Sequence, residues 1–143
     1  MNYYVLDTDH VSIFQRQSEP AFSSLKAKLA RSSPDLVFVT IISFQEQFQG
    51  WMAYINKATS VSELIMAYHR LEKIIQYFST AQILPYNEKA ADIAEQLKRQ
   101  RIRIGTLDLR IASIVLSENA ILLTCNQRDF SKVPNLRIED WTL

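Results

Sequence analysis

Apolar residues in this chain follow two rhythms. Short apolar runs at Tyr3–Leu6, Leu36–Val39, Gln82–Leu84, Ala120–Thr124 and Leu136–Ile138 have the length and composition of strands, most of them buried on both faces. Between them, apolar positions recur at helical spacing. Thr8 or Asp7 can cap a helix starting near Val11. Pro20 opens another, carrying Phe22, Leu25 and Leu29 to about Arg31. A helix is predicted from Ser43 to about Tyr54, and a longer one from Ser60 to Ser79. The longer helix has Val61, Leu64, Ile65, Tyr68, Leu71, Ile75 and Phe78 on one stripe. Asn87 can cap a helix bearing Ala90, Ala94 and Leu97, and Thr106 one that runs to Glu118. Strands alternating with helices predict an α/β fold, a mainly parallel central sheet with helices on both faces. No repeat or linker interrupts the pattern, which predicts one domain over residues 1–143.

Composition narrows the chemistry. Apolar residues make up 48% of the 143 and charged residues 22%, a globular profile. Only Gly50 and Gly105 are glycines, which argues against phosphate-cradling glycine loops. A single cysteine, Cys125, offers neither a disulfide framework nor a thiolate zinc site. The chain opens directly into a strand, without a signal-peptide pattern, and no apolar run is long enough for a membrane. A cytoplasmic location is expected. Net charge is +1, but Lys98, Arg99, Arg101, Arg103 and Arg110 crowd a segment whose one acid is Asp108. Such a run is either a solvated face or a phosphate-binding rim.

The acids carry the functional signal. Asp7 ends the first strand, Glu46 follows the second, Asp108 lies in the first turn of a helix, and Asp129 lies just past the Ala120–Thr124 strand. In a right-handed parallel sheet these positions share the edge formed by the carboxyl ends of the strands. Oxygen ligands converging there suit a hard cation such as Mg²⁺ or Mn²⁺. Each acid also has a plain reading. Asp7 can cap a helix, Ser43 and Glu46 have capping-box spacing, Asp108 can answer a helix dipole, and Asp129 can sit in a turn.

Four segments, taken in order, resemble a known family. They are Val5-Leu6-Asp7-Thr8-Asp9-His10, Ile42-Ser43-Phe44-Gln45-Glu46, Ile104-Gly105-Thr106-Leu107-Asp108 and Leu123-Thr124-Cys125-Asn126-Gln127-Arg128-Asp129. The set resembles the PIN-domain ribonucleases, most closely the VapC-type toxins of bacterial toxin–antitoxin pairs. The resemblance spans essentially the whole chain and is weakest over Tyr54–Gln82. It implies a PIN-like three-layer fold and a metal site built on Asp7, Glu46 and Asp108. It also implies an RNA substrate, a cognate antitoxin and a homodimer. For the fourth acid the family varies. Asn126 stands where many members have a carboxylate, so Asp129 takes that place here, with Thr124 and Asn126 as polar support. Asp9 stands where Asn is common. This extra carboxylate can bind metal through water, orient Thr8 or strengthen cation affinity.

The mechanism so implied is metal-dependent hydrolysis of RNA phosphodiesters, with Arg101, Arg103 and Arg110 holding flanking phosphates. Two alternatives stay open. Asp7-Thr8-Asp9-His10-Val11 also fits the opening motif of haloacid-dehalogenase-like phosphatases, with Asp7 as nucleophile and Asp9 as general acid. The apolar residues around Trp51–Tyr54 and on the long helix would alternatively make the protein a non-catalytic binding module for RNA or protein. His10 and His69 receive no catalytic role, and Cys125 is expected to be inert.

Overall fold

The computed structural model describes all 143 residues. Five strands form one sheet: β1 (Tyr4–Leu6), β2 (Val37–Thr40), β3 (Ile83–Leu84), β4 (Ile121–Leu123) and β5 (Arg137–Glu139). Their spatial order is β3-β2-β1-β4-β5, and every neighbouring pair is parallel. Seven helices flank the sheet: α1 (Thr8–Arg16), α2 (Ala21–Ala30), α3 (Ile41–Lys57), α4 (Val61–Thr80), α5 (Glu88–Arg99), α6 (Thr106–Ser117) and α7 (Gln127–Phe130). The sheet is all parallel because every connection carries a helix or a long crossover and none is a hairpin.

The central runs, β1 and β4, are buried on both faces, as their composition predicts, whereas the edge strands β3 and β5 are partly exposed. Val5 and Leu122 enter a core with Leu97, Ile111, Ile114 and Phe130, on the side of α5 and α6. Leu6, Ile121 and Leu123 point the other way, into a core with Val11, Leu25, Ile74, Phe78 and Trp141. The two-residue period of a strand thus feeds two separate cores from one short run. Each fully buried side chain of this size stabilises the fold by about 1.5–3 kcal/mol.

Topology creates the site. From β1 the chain passes outward to β2 and β3, then returns across the sheet to place β4 on the other side of β1. The connections therefore diverge at the carboxyl ends of β1 and β4, leaving a crevice at that switch point.

Several helix starts differ from the sequence expectation. α1 begins at Thr8, not near Val11, and Asp7 at its N-cap position makes no side-chain capping bond. α3 begins at Ile41, directly off β2, because Thr40 caps it by accepting from the Ser43 amide at 3.2 Å. The Ser43–Glu46 capping box therefore does not form, and the Glu46 carboxylate has no capping duty. In α6 the N-cap is Gly105, and Thr106 is the first helical residue. Asn87 caps α5 as expected, accepting from the Ala90 amide at 3.1 Å.

Candidate active site

Three of the predicted acids meet above the crevice. One carboxylate oxygen from each of Asp7, Glu46 and Asp108 lies within 4.8 Å of the other two. β1 delivers Asp7, the second turn of α3 delivers Glu46, and the first turn of α6 delivers Asp108. None of the three has a Lys, Arg or His partner within ion-pair distance. Asp7 is buried, and the other two are half-buried.

Electrostatics follow from that crowding. Burial pushes the Asp7 carboxyl up to about 7, helped by the Asp9 charge and opposed by a hydrogen bond from Thr124. Burial also raises Glu46, against the bond from Thr8, and the charges of Asp108 and Asp9 add to it. Asp108 is raised by burial and then by the charges of Asp129 and Asp9. A group of partly buried acids without a counter-ion suits a divalent cation. Two oxygens bound to one Mg²⁺ are at most about 4.2 Å apart, so small side-chain shifts close the cluster on an ion. The all-oxygen donor set fits such an ion as well.

Polar neighbours hold the acids in place. The Thr8 hydroxyl donates to Glu46 Oε1 at 2.8 Å and lies 3.0 Å from Ser43 Oγ. Thr124 Oγ1 donates to Asp7 Oδ2 at 2.8 Å, is 3.3 Å from Asp9 Oδ2, and accepts from the Asn126 amide at 2.9 Å.

Asp129 lies outside the three-acid group. Asn126 Nδ2 donates to its Oδ2 at 3.2 Å, and Lys132 lies 3.3 Å from its Oδ1. The Asn126 bond and the Lys132 contact hold its carboxyl below the ordinary value. Asn126 also caps α7 by accepting from the Asp129 amide.

Asp9 lies outside the three-acid group, and both its oxygens engage a second cluster. Its Oδ2 accepts from the Cys125 amide at 2.9 Å, and its Oδ1 lies 2.8 Å from His10 Nδ1. His10 is completely buried, and its Nε2 accepts from the Trp141 amide at 3.1 Å. An acceptor at Nε2 places the proton of the neutral ring on Nδ1, which donates to Asp9. Asp9, His10 and Cys125 come close enough to suggest ligands, but a protonated Nδ1 cannot bind metal. Both Asp9 oxygens are engaged, which removes the free general acid that the phosphatase reading needs. Cys125 is exposed, and desolvation first, then the charges of Asp9 and Asp140, raise its thiol above the ordinary value.

Comparison with known proteins fits this geometry. The PIN-domain family model matches residues 4–136. The chain belongs to the PIN-domain family. Among curated relatives, Ribonuclease VapC2 of Rickettsia felis is 29% identical over 138 residues, covering 96% of this chain and 97% of the relative. Ribonuclease VapC1 of Haemophilus influenzae is 28% identical over 140 residues, covering 97% and 98%. Solved neighbours include VapBC2 from Rickettsia felis bound to a promoter DNA fragment. Its TM-score is 0.73 at 23% identity, with 97% and 98% of the two chains covered. VapBC-1 from nontypeable Haemophilus influenzae superposes with a TM-score of 0.74 at 24% identity, with 99% of each chain covered.

Within this PIN fold, Arg101 and Arg103 are exposed on the α5–α6 connection, and Arg110 is half-buried in α6. None of the three forms an ion pair. No helix is long and apolar enough to cross a membrane. Sequence reasoning missed Ser43 beside Thr8, and it missed the tether through His10. Ser43 was hidden by its capping-box spacing. For His10, no local pattern announces a partner 131 residues away.

Proposed function

We propose that this protein is a metal-dependent endoribonuclease of the VapC toxin type, its nuclease unit spanning residues 1–143. The observation that carries this reading is the convergence of Asp7, Glu46 and Asp108, without a cationic partner, at the switch point of a PIN fold. The ribonuclease names of the full-length relatives support the activity.

Asp7, Glu46 and Asp108 would hold the cation, Mg²⁺ or Mn²⁺, with Asp129 at the outer edge. When bound, the ion supplies Lewis acidity to the phosphate and lowers the pKa of a water nucleophile. The chain itself does the positioning. Thr124 aims Asp7, and Thr8 aims Glu46. Asp9 acts at one remove, accepting from the Cys125 amide next to Thr124. Arg101, Arg103 and Arg110 offer fixed positive charge to phosphates on the α6 side.

The same reading makes a cognate antitoxin the physiological inhibitor, a homodimer the working form and the cytoplasm the location. The toxin–antitoxin complexes among the solved neighbours support the partner. The test is cleavage of total cellular RNA with Mg²⁺ or Mn²⁺ by the unmodified protein and by Asp7→Asn and Asp108→Asn variants. Cleavage that both variants lose supports the scheme. Cleavage that both retain sinks it, and metal-independent RNA binding without cleavage would favour a binding module.

A further inference from the structure

Two buried serines of α6 satisfy their hydroxyls on their own helix. Ser113 donates to the Leu109 carbonyl at 2.7 Å, and Ser117 to the Ile114 carbonyl at 2.6 Å. Such back-bonding is the ordinary fate of a helical serine. Ser43, in the first turn of α3 and completely buried, differs from both. Its hydroxyl bonds nothing on α3. Instead it meets the Thr8 hydroxyl, 35 residues away in sequence, at 3.0 Å.

The direction of that contact follows from the number of protons. Thr8 Oγ1 carries one proton and has two oxygens in range, Ser43 Oγ at 3.0 Å and Glu46 Oε1 at 2.8 Å. An ionised carboxylate only accepts. Two oxygens 2.8 Å apart with no hydrogen between them would repel, so the Thr8 proton lies toward Glu46. Ser43 is then the donor to Thr8. Thr8 is also the one partner of the Ser43 hydroxyl, and without it a buried donor would be stranded. The three side chains thus form a one-way chain, Ser43 to Thr8 to Glu46. A hydroxyl that accepts a bond becomes a better donor, so the first link strengthens the second.

Glu46 is the acid with most need of such support. Its side chain has one more rotatable bond than Asp7 or Asp108 and so loses more freedom when held in place. Its Oε1 is the oxygen Thr8 engages, which leaves Oε2 without a protein partner.

We propose that Ser43 is a positioning residue for the metal site. By donating to Thr8 it directs the single Thr8 proton onto Glu46 and holds that carboxylate where it meets Asp7 and Asp108. This role rests on the metal-dependent ribonuclease reading and deepens it at one ligand.

The test reads metal binding apart from cleavage. Mn²⁺ alone is titrated calorimetrically into the full-length protein and its variants at one pH. Ser43→Ala is expected to weaken Mn²⁺ binding about tenfold, and Thr8→Val at least about tenfold. Ser43→Ala added to Thr8→Val should change affinity less than about twofold, because its route to Glu46 is already cut. Ser113→Ala removes an equally buried helical hydroxyl and should leave affinity within about twofold of the parent. Stability supplies a change of sign. Thr8→Val strands the Ser43 proton, so adding Ser43→Ala should raise the denaturant midpoint of the Thr8→Val protein. In single-turnover cleavage the Ser43→Ala rate should climb toward the parent's as Mn²⁺ is raised.

Parent-like Mn²⁺ affinity in Ser43→Ala overturns the assignment, and so does an equal loss in Ser113→Ala. Full additivity of Ser43→Ala and Thr8→Val overturns the route through Thr8. A cleavage deficit in Ser43→Ala that no Mn²⁺ concentration moves also overturns it. Absence of Mn²⁺ binding by the unmodified protein would overturn the parent reading. Normal binding by that protein, together with any of the first three results, overturns the Ser43 role alone.

Discussion

Thr124, just past the end of β4, donates a 2.8 Å hydrogen bond to Asp7, just past the end of β1. The bond spans the crevice between the two strands and is the one polar side-chain tie that directly opposes the burial of Asp7. Thr124→Val keeps the shape but leaves the Asn126 amide without its acceptor. The expected cost is about 1–3 kcal/mol of stability, read from denaturant midpoints. Divalent-ion affinity should fall about tenfold, read by Mn²⁺ titration calorimetry. Unchanged affinity would mean that Thr124 does not orient Asp7.

The raised carboxyl of Asp7 gives a signed pH dependence in the metal-free protein. Between its ordinary value of 3.8 and about 7, the folded chain holds a proton that the unfolded chain has released. Stability from this group is therefore full below about pH 4 and is lost as pH rises through about 7. The loss is on the order of 4 kcal/mol. Glu46 and Asp108 shift in the same direction. Asp7→Asn should remove most of this slope and stabilise the metal-free protein near neutrality. Thermal melts across pH 4–8 with chelator present would check it. With a divalent ion in excess the slope should flatten or reverse, because deprotonated Asp7 is then the bound form. A mutant melt that tracks the parent at every pH would assign the slope to other groups.

Much of this arrangement was readable in the sequence, for specific reasons. Val5 and Leu6 announce a strand buried on both faces, and an acid directly after such a strand falls at the sheet's carboxyl edge. The placement of Asp7, Glu46 and Asp108 on one edge follows from that and from the handedness of parallel crossovers. Helix starts were less legible. A capping hydroxyl on Thr40 competes with one on Ser43, and only the path of the chain off β2 selects Thr40. Long-range polar partners were not legible at all. Asp9 bonds the Cys125 amide 116 residues away, and nothing in local periodicity encodes that choice.

Asp129 and Asp108 should differ in consequence. Asp108 belongs to the three-acid cluster, whereas Asp129 is held by Asn126 and Lys132 at its margin. Asp108→Asn is therefore expected to reduce cleavage by at least about a hundredfold, and Asp129→Asn by about tenfold. The charge of Asp129 also raises the Asp108 carboxyl, so its removal should lower the pH at which cleavage reaches half-maximum. Single-turnover rates on a defined RNA across pH would separate the two effects. Equal losses in both variants would place Asp129 among the direct ligands.

His10 is the buried pin between the acid site and the chain's C-terminal segment. Its ring donates to Asp9 and accepts from the Trp141 amide, and it is fully enclosed. Removing it strands a carboxylate oxygen and a backbone N–H, and each such loss costs about 1–3 kcal/mol. His10→Ala should therefore destabilise the protein by about 3 kcal/mol or more once the cavity is included. His10→Phe restores the volume but neither bond, and is expected to recover little of that loss. Denaturant midpoints for both variants check this, and amide exchange at Trp141 should quicken in each. If His10→Phe were as stable as the parent, packing alone would explain the buried ring. The tie from Asp9 to the β5 side of the fold would then be dispensable.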